Sequence, residues 1–371
     1  MLRVSGVQGL AHVATISFLA GRLTPVGAFW VSLGGGVALA RAAARAGARA
    51  GYGASIAAMV ETVAVMGPAR ISGPLTQALN APALGALHAR GHGAVVLLAV
   101  CTSIRLAHYA VINALLLWLV LGSIDAYVET FDSVAELALG ILPSGQTAAL
   151  TLTLVANLAA AAFYSAVQVV VVRRALSTPV AAPPVPSIPA ARDDPAPSPR
   201  RVRALAWGTV AVWVLLLTAL AWPVLAAVAG LLAVGTVAVR APRWPPLRLT
   251  VLLGTALALG ALGPAALGAV EVDEALRRGV RAFLLVASAG VTQALIGPEG
   301  VRALAAGALR VLRRVPAVSE ASLLAPELRG EPRLIAGTRE LIARVTEAAP
   351  RPSRLADAVI GWVGDEEVRH R

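Results

Sequence analysis

The sequence contains no lysine, and all 32 of its basic residues are arginine. That excludes a Walker A loop, which needs a lysine on the nucleotide phosphates, and with it ATP hydrolysis by that route. Cysteine is nearly absent too. The single Cys101 excludes an intrachain disulfide and a multi-cysteine metal site. No G-x-S-x-G, H-E-x-x-H or C-x-x-C pattern occurs, so the chemistries those motifs support have no anchor here. Charge is scarce as well, at 14% of residues, against roughly 25% in soluble domains.

What fills the chain instead is apolar residue, 57% of the total, with Ala, Leu, Val and Gly in excess. Small side chains of this kind let helices pack closely in lipid. The fold class expected is all-α: a polytopic helical membrane protein with about 8–10 membrane helices in two modules, followed by C-terminal amphipathic helices. The net charge of +12 is not read as a nucleic-acid signal. In a membrane protein, arginine clusters mark the loops that face the cytoplasm.

Residues 177–203, "STPVAAPPVPSIPAARDDPAPSPRRVR", are Pro, Ala, Ser and charge. Such a segment buries no core and is expected to be a cytoplasmic linker. It separates an N-terminal membrane module, 1–176, from a second one, 204–300. In the second, residues 204–239 are almost uncharged. One crossing takes about 20 residues, so two short spans are expected, turning near Trp222-Pro223. A third span is expected over about 249–269 and a fourth over about 280–297. Arginines before 204, after 239 and after 301 put those points inside, and Glu271–Arg281 outside.

The first module gives four to six helices. Its opening "MLRVSGVQGLAHVATISFLAGR" faintly resembles a signal peptide. Gln8 and His12 interrupt the run and no cleavage site follows, so a surface-lying or first membrane helix is expected. A span over 23–40 ends at Arg41, Arg45 and Arg49. The Gly-Pro pairs of "MGPARISGPLTQALNAPALGALHARG" predict a broken segment. Apolar runs cover 93–122 and 147–172. Between them "DAYVETFDSVAE", with four acids and no base, predicts an external loop.

Polar groups at membrane depth are costly and mark a cavity, a pathway or an internal pair. Glu61 lies in "AAMVETVAVM". Arg105 and His108 share a helical face, with Asn113 beyond them. Two readings stay open. One is structural: a Glu61–Arg105 salt bridge, or Arg105 at a helix end facing water. The other is a pocket for a small polar or anionic molecule, with Arg105 and His108 as donors and Ser72, Gln77 and Asn80 lining the broken segment. His88 and His92 have i,i+4 spacing but no third ligand nearby, and read as loop rather than metal site.

The tail over 301–371 is helical and charged. At about 100° per residue, Arg302, Arg310, Arg313 and Arg314 gather on one side of 301–315, with Val301, Leu304, Val311, Leu312 and Val315 mostly opposite. Pro316 ends that helix. A second stops at Gly330, and two more follow. None is apolar enough to cross a membrane. Acids punctuate them, which favours a protein partner over a purely lipid-binding face.

In order and pattern, residues 204–363 resemble the T component, the transmembrane scaffold subunit, of energy-coupling factor (ECF) transporters. The resemblance is carried by the short spans, by "EALRRGVRAFLLVASAGVTQAL", by the arginine-rich helix and by "VPAVSEASLLAPELRG". It implies an ATP-driven importer of a small molecule such as a vitamin or metal ion. ATP would sit on separate cytoplasmic ABC ATPase subunits, with no cofactor in this chain. Arg329 and Gly330 of "LRG" would form the first coupling motif, with Arg310, Arg313 and Arg314 beside it. Where the second motif would fall, in "LADAVIGWVGD", no arginine is present.

The resemblance further implies that the first module is S-component-like, or that a separate substrate-binding membrane subunit joins. Ala38, Ala42, Ala46 and Ala50 would offer a smooth packing face. The expected location is the inner (plasma) membrane, multi-pass, with the C-terminus cytoplasmic. The alternatives are a membrane-embedded lipid or isoprenoid enzyme, for which Glu271, Asp273 and Glu274 are the only dense acidic group, and an assembly scaffold.

Overall fold

The computed structural model describes residues 2–23, 28–67, 72–137, 143–177, 198–239, 244–325, 331–348 and 352–369. Every element is helical, and no strand occurs among the described residues. Four helices form an inner group: α1 (Leu2–Leu23), α2 (Ala28–Ala46), α3 (Ala48–Met66) and α4 (Ser72–Ala89). Glycine lets them approach closely. A Cβ on Gly85 would overlap the Ala40 backbone, and one on Gly35 would stand 2.5 Å from the Phe18 ring. Leu10, Phe18, Leu33, Leu39 and Leu84 are buried between them.

The Gly-Pro segment does not stay broken as its composition predicts. The chain bends at Gly67, which has φ 74°, but α4 then runs through Pro82. Proline at 82 removes the N–H that would bond the carbonyl four residues back. That carbonyl, Ala78 O, accepts instead from Ser55 Oγ at 2.9 Å, and its neighbour Leu79 O accepts from the Tyr52 hydroxyl at 3.1 Å. Hydroxyls of α3 thus replace the lost donor, and the helix continues.

Around the inner group stand α5 (Ala94–Leu116), closed by a π-turn at Leu117–Leu121, then α6 (Ile124–Leu137) and α7 (Gln146–Ser177). The acidic stretch expected as a loop is α6. Its Ser123 hydroxyl caps the start by accepting from Ala126 N at 3.0 Å, and Asp125 sits in the first turn, where the helix dipole favours an acid.

Of the expected linker, 178–197 lie outside the described residues, while α7 reaches Ser177 and α8 (Pro199–Thr218) already begins within it. Next come α9 (Trp222–Val237), α10 (Trp244–Ala266) and α11 (Val272–Val311). The α8–α9 turn falls where expected, because Pro223 belongs in a helix's first turn and Ala219 is extended.

Five helices among the described residues are long and apolar enough to cross a membrane: α5 with its π-turn, α7, α8, α10 and α11. α9 is a shorter apolar helix. Residues such as Leu154, Phe163, Trp207, Leu231, Val234 and Leu252 are exposed on these helices. An apolar exterior of this kind is compatible with a membrane-embedded protein.

α11 is two helical pieces joined at Gly297, whose φ of 70° and ψ of 178° are not helical, just before Pro298. The fourth span and the arginine-rich helix are therefore separate helices, as expected, and meet at that break.

The tail is not set apart from the membrane modules. α12 (Pro316–Leu324) packs on α3, α13 (Glu331–Ala348) on α1, and α14 (Pro352–Arg369) on α2. Their apolar stripes, Leu334 and Leu341 on α13 and Val359, Trp362 and Val363 on α14, join the same core as Phe18 and Leu33. Asp365 accepts from Arg344 at 2.8 Å, and Glu340 from the same guanidinium at 2.9 Å, linking α14 to α13. The hydrogen bond to Asp365 leads in holding that guanidinium above its ordinary pKa. The alanine face also packs internally. Ala38 and Ala42 are buried in this core, and α2 ends before Gly47 (φ 89°), so Ala50 belongs to α3.

Both ends of the bundle carry acids and arginines. α6 and the start of α11 meet at one end, where Ser133 donates to Leu267 O at 3.3 Å and Trp222 Nε1 to Asp273 at 2.9 Å. At the other end Arg41 donates to Ala175 O at 3.0 Å, Arg174 pairs with Asp357 at 2.9 Å and Arg49 with Glu320 at 3.0 Å.

Trp362 is fully buried, and truncating such a side chain costs about 3–5 kcal/mol. Trp362→Ala is therefore expected to raise hydrogen–deuterium exchange across α13 and α14 while α8 and α10 stay protected. Unchanged exchange in the tail would refute its integration into the core.

Candidate functional site

A cavity of about 510 Å³ opens where α1, α2, α4, α5, α7 and α10 meet. Arg105 and His108 line it from α5, one turn apart, and Gln77 and Thr76 line it from α4. Phe29, Tyr109 and Tyr164 give it an aromatic wall, with the Phe29 and Tyr164 ring centroids 4.9 Å apart. Leu253 of α10 closes one side, so both membrane modules contribute.

Arg105 is 3% exposed. Its Nη2 donates to Gln168 Oε1 at 2.8 Å, and Cys101 Sγ reaches the same oxygen at 3.4 Å. The guanidinium lies 5.9 Å from the centre of the Tyr164 ring. Among the described residues no acid pairs with Arg105, and its Nε has no partner. Gln77 is 1% exposed, and its Oε1 likewise has no partner among the described residues. A buried polar atom without a partner costs about 1–3 kcal/mol, and both atoms are buried within the cavity's wall.

The sequence-derived candidates divide. Arg105, His108 and Gln77 come together at the cavity. Asn80 is fully buried one turn further along α4, outside the cavity wall, and neither its Nδ2 nor its Oδ1 has a partner among the described residues. Asn113 Nδ2 donates to Asn157 Oδ1 at 3.2 Å, in an exposed pair away from the cavity. The Ser72 side chain lies outside the described residues.

The Glu61–Arg105 bridge does not form. Glu61 accepts from Arg302 Nε at 2.8 Å and also from its Nη2, while Arg302 Nη1 donates to Glu299. Position 61 on α3 faces α11, and Arg105 on α5 faces α7. A salt bridge inferred from burial alone cannot name the partner when it lies 241 residues away.

Gln168 was missed, although the rule that singled out Arg105 also marks this amide within the apolar run 147–172. The aromatic wall carried no signal, since Phe and Tyr are ordinary in apolar helices.

Of the coupling candidates, Arg310, Arg313 and Arg314 are exposed around the end of α11, and Arg329 and Gly330 lie outside the described residues. His88 ends α4 and His92 lies in the connection to α5. No group of three or more His, Cys, Asp or Glu stands together to hold a metal among the described residues. The acidic group expected of an enzyme is engaged elsewhere: Asp273 pairs with Arg277 and Glu274 with Arg278.

No family model, no curated protein and no solved structure matches this chain. Nothing in these comparisons indicates an enzyme.

Removing one partner of a buried ion pair costs about 3–5 kcal/mol. Arg302→Gln should therefore lower the thermal midpoint in detergent by several degrees. Glu61→Gln should cost less, because Glu299 still holds Arg302, and the double variant should recover part of the loss. A wild-type midpoint for Arg302→Gln would contradict a structural role for the pair.

Proposed function

We propose that this chain is an integral membrane subunit of an importer for a small molecule, driven by ATPase subunits encoded separately. The observation that carries the reading is the cavity. It is a roomy, partly polar cleft, half open, walled by α1, α2 and α4 and by the apolar helices α5, α7 and α10, so residues from before and after 178–197 line it. Membrane proteins keep ionisable groups inside chiefly where a solute, an ion or a proton has to be met. A volume of about 510 Å³ lies within the roughly 300–1,000 Å³ of small-molecule sites.

A cluster of arginines at the ends of α2 and α7 and the start of α3 supports an orientation. The end carrying Arg41, Arg45, Arg49, Arg173 and Arg174 would be cytoplasmic by the positive-inside rule, and α6 with the start of α11 external. That orientation places the arginine-bearing end of α11 and all three tail helices on the cytoplasmic side.

The energy-coupling reading rests on the resemblance of 204–363 to T components and on the exposure of Arg310, Arg313 and Arg314. The apolar faces of α13 and α14 are already occupied by α1 and α2. A docking surface for an ATPase would then lie at the turn after α11, where Arg313 and Arg314 are exposed.

A pull-down from native membranes in mild detergent tests this, comparing wild type with Arg329→Glu and with Arg310, Arg313 and Arg314 all changed to Glu. A nucleotide-binding pair should accompany wild type and fall at least tenfold in both variants. Wild type that brings down no ATPase refutes the importer reading.

A further inference from the structure

We infer that the cavity takes a small organic monoanion: a carboxylate on a flat apolar body. This deepens the importer reading and rests on it.

The charge follows from what surrounds the cavity. Arg105 is buried and always cationic, and no acid neutralises it among the described residues. A buried charge without a counterion is costly, and an entering anion removes that cost. Two helix N-termini point the same way. The opening residues of α2, Ala28 and Phe29, and of α4, Gly73 and Pro74, both line the cavity. Each helix start carries a partial positive charge of about half a unit. Among the described residues no second arginine lines the wall, and Arg105 already commits Nη2 to Gln168. One guanidinium and two helix ends suit a single negative charge better than a phosphate dianion.

The remaining chemistry follows from the other walls. Phe29, Tyr109 and Tyr164 offer ring faces to a flat apolar body.

The test uses the full chain in nanodiscs of phosphatidylcholine, with 6-hydroxy-2-naphthoate as a fluorescent probe beside its neutral amide and the corresponding amine. The carboxylate should bind at least tenfold more tightly than the amide. Arg105→Gln should erase that preference, and Arg105→Lys, which keeps the charge, should retain part of it. Equal binding of acid and amide, or a preference that survives Arg105→Gln, overturns the anion assignment and leaves the solute-binding reading standing. If acid, amide and amine all fail to bind, both readings fall together. If binding to phosphatidylcholine discs vanishes in phosphatidylglycerol discs, the site belongs to a lipid headgroup and the proposal is wrong.

Discussion

Glu61 and Arg302 tie the molecule together. The carboxylate on α3 receives two of the guanidinium's N–H groups, and Glu299 takes another from the next turn of α11. Nearby, Gln293 Nε2 donates to Ala64 O at 3.0 Å. These contacts bracket the Gly297 break, so α11 of the second module is fixed to the inner group of the first at that point. Buried polar groups must find partners within the protein where water is scarce. Here that requirement joins segments far apart in sequence. The opposite end of α11 repeats the solution. Arg281 donates to Trp118 O and Leu119 O at 3.3 and 3.1 Å, and Arg278 reaches Leu121 O, so the carbonyls of the α5 π-turn are satisfied from the second module.

Local signals in the sequence located elements well. Pro223 in a first turn marked the α8–α9 boundary, and the uncharged runs became α5, α7 and α10. Where the reading failed, a distant group had changed the local balance. Pro82 does break a helix taken alone, but Ser55 and Tyr52, nearly thirty residues earlier, supply the donors it lacks. The acidic stretch Asp125–Glu136 was read by charge as a loop, yet its amphipathic period and the Ser123 cap make it α6. The tail was read as a platform because its helices are too polar to cross a membrane. Amphipathic faces fit an intramolecular core as readily as a partner, and periodicity does not separate the two.

Legibility of the cavity follows the same division. Arg105, His108 and Gln77 stood out because charge and amide are rare in apolar helices. Their separation from Glu61 and Asn113 was not legible, because it depends on which face of α3 meets α11 and which face of α5 meets α7. The electropositive ends of α2 and α4 were also invisible. They matter only because tertiary packing brings two helix starts to one chamber beside an uncompensated arginine.

The clamps between the two modules along α11 are made by Arg278, Arg281, Gln293 and Arg302 and do not rely on covalent continuity. Two half-proteins, made from separate reading frames that end and begin within 178–197, would be expected to assemble into the same body. Their recognition would come from arginines meeting helix-end carbonyls and from one carboxylate waiting on α3.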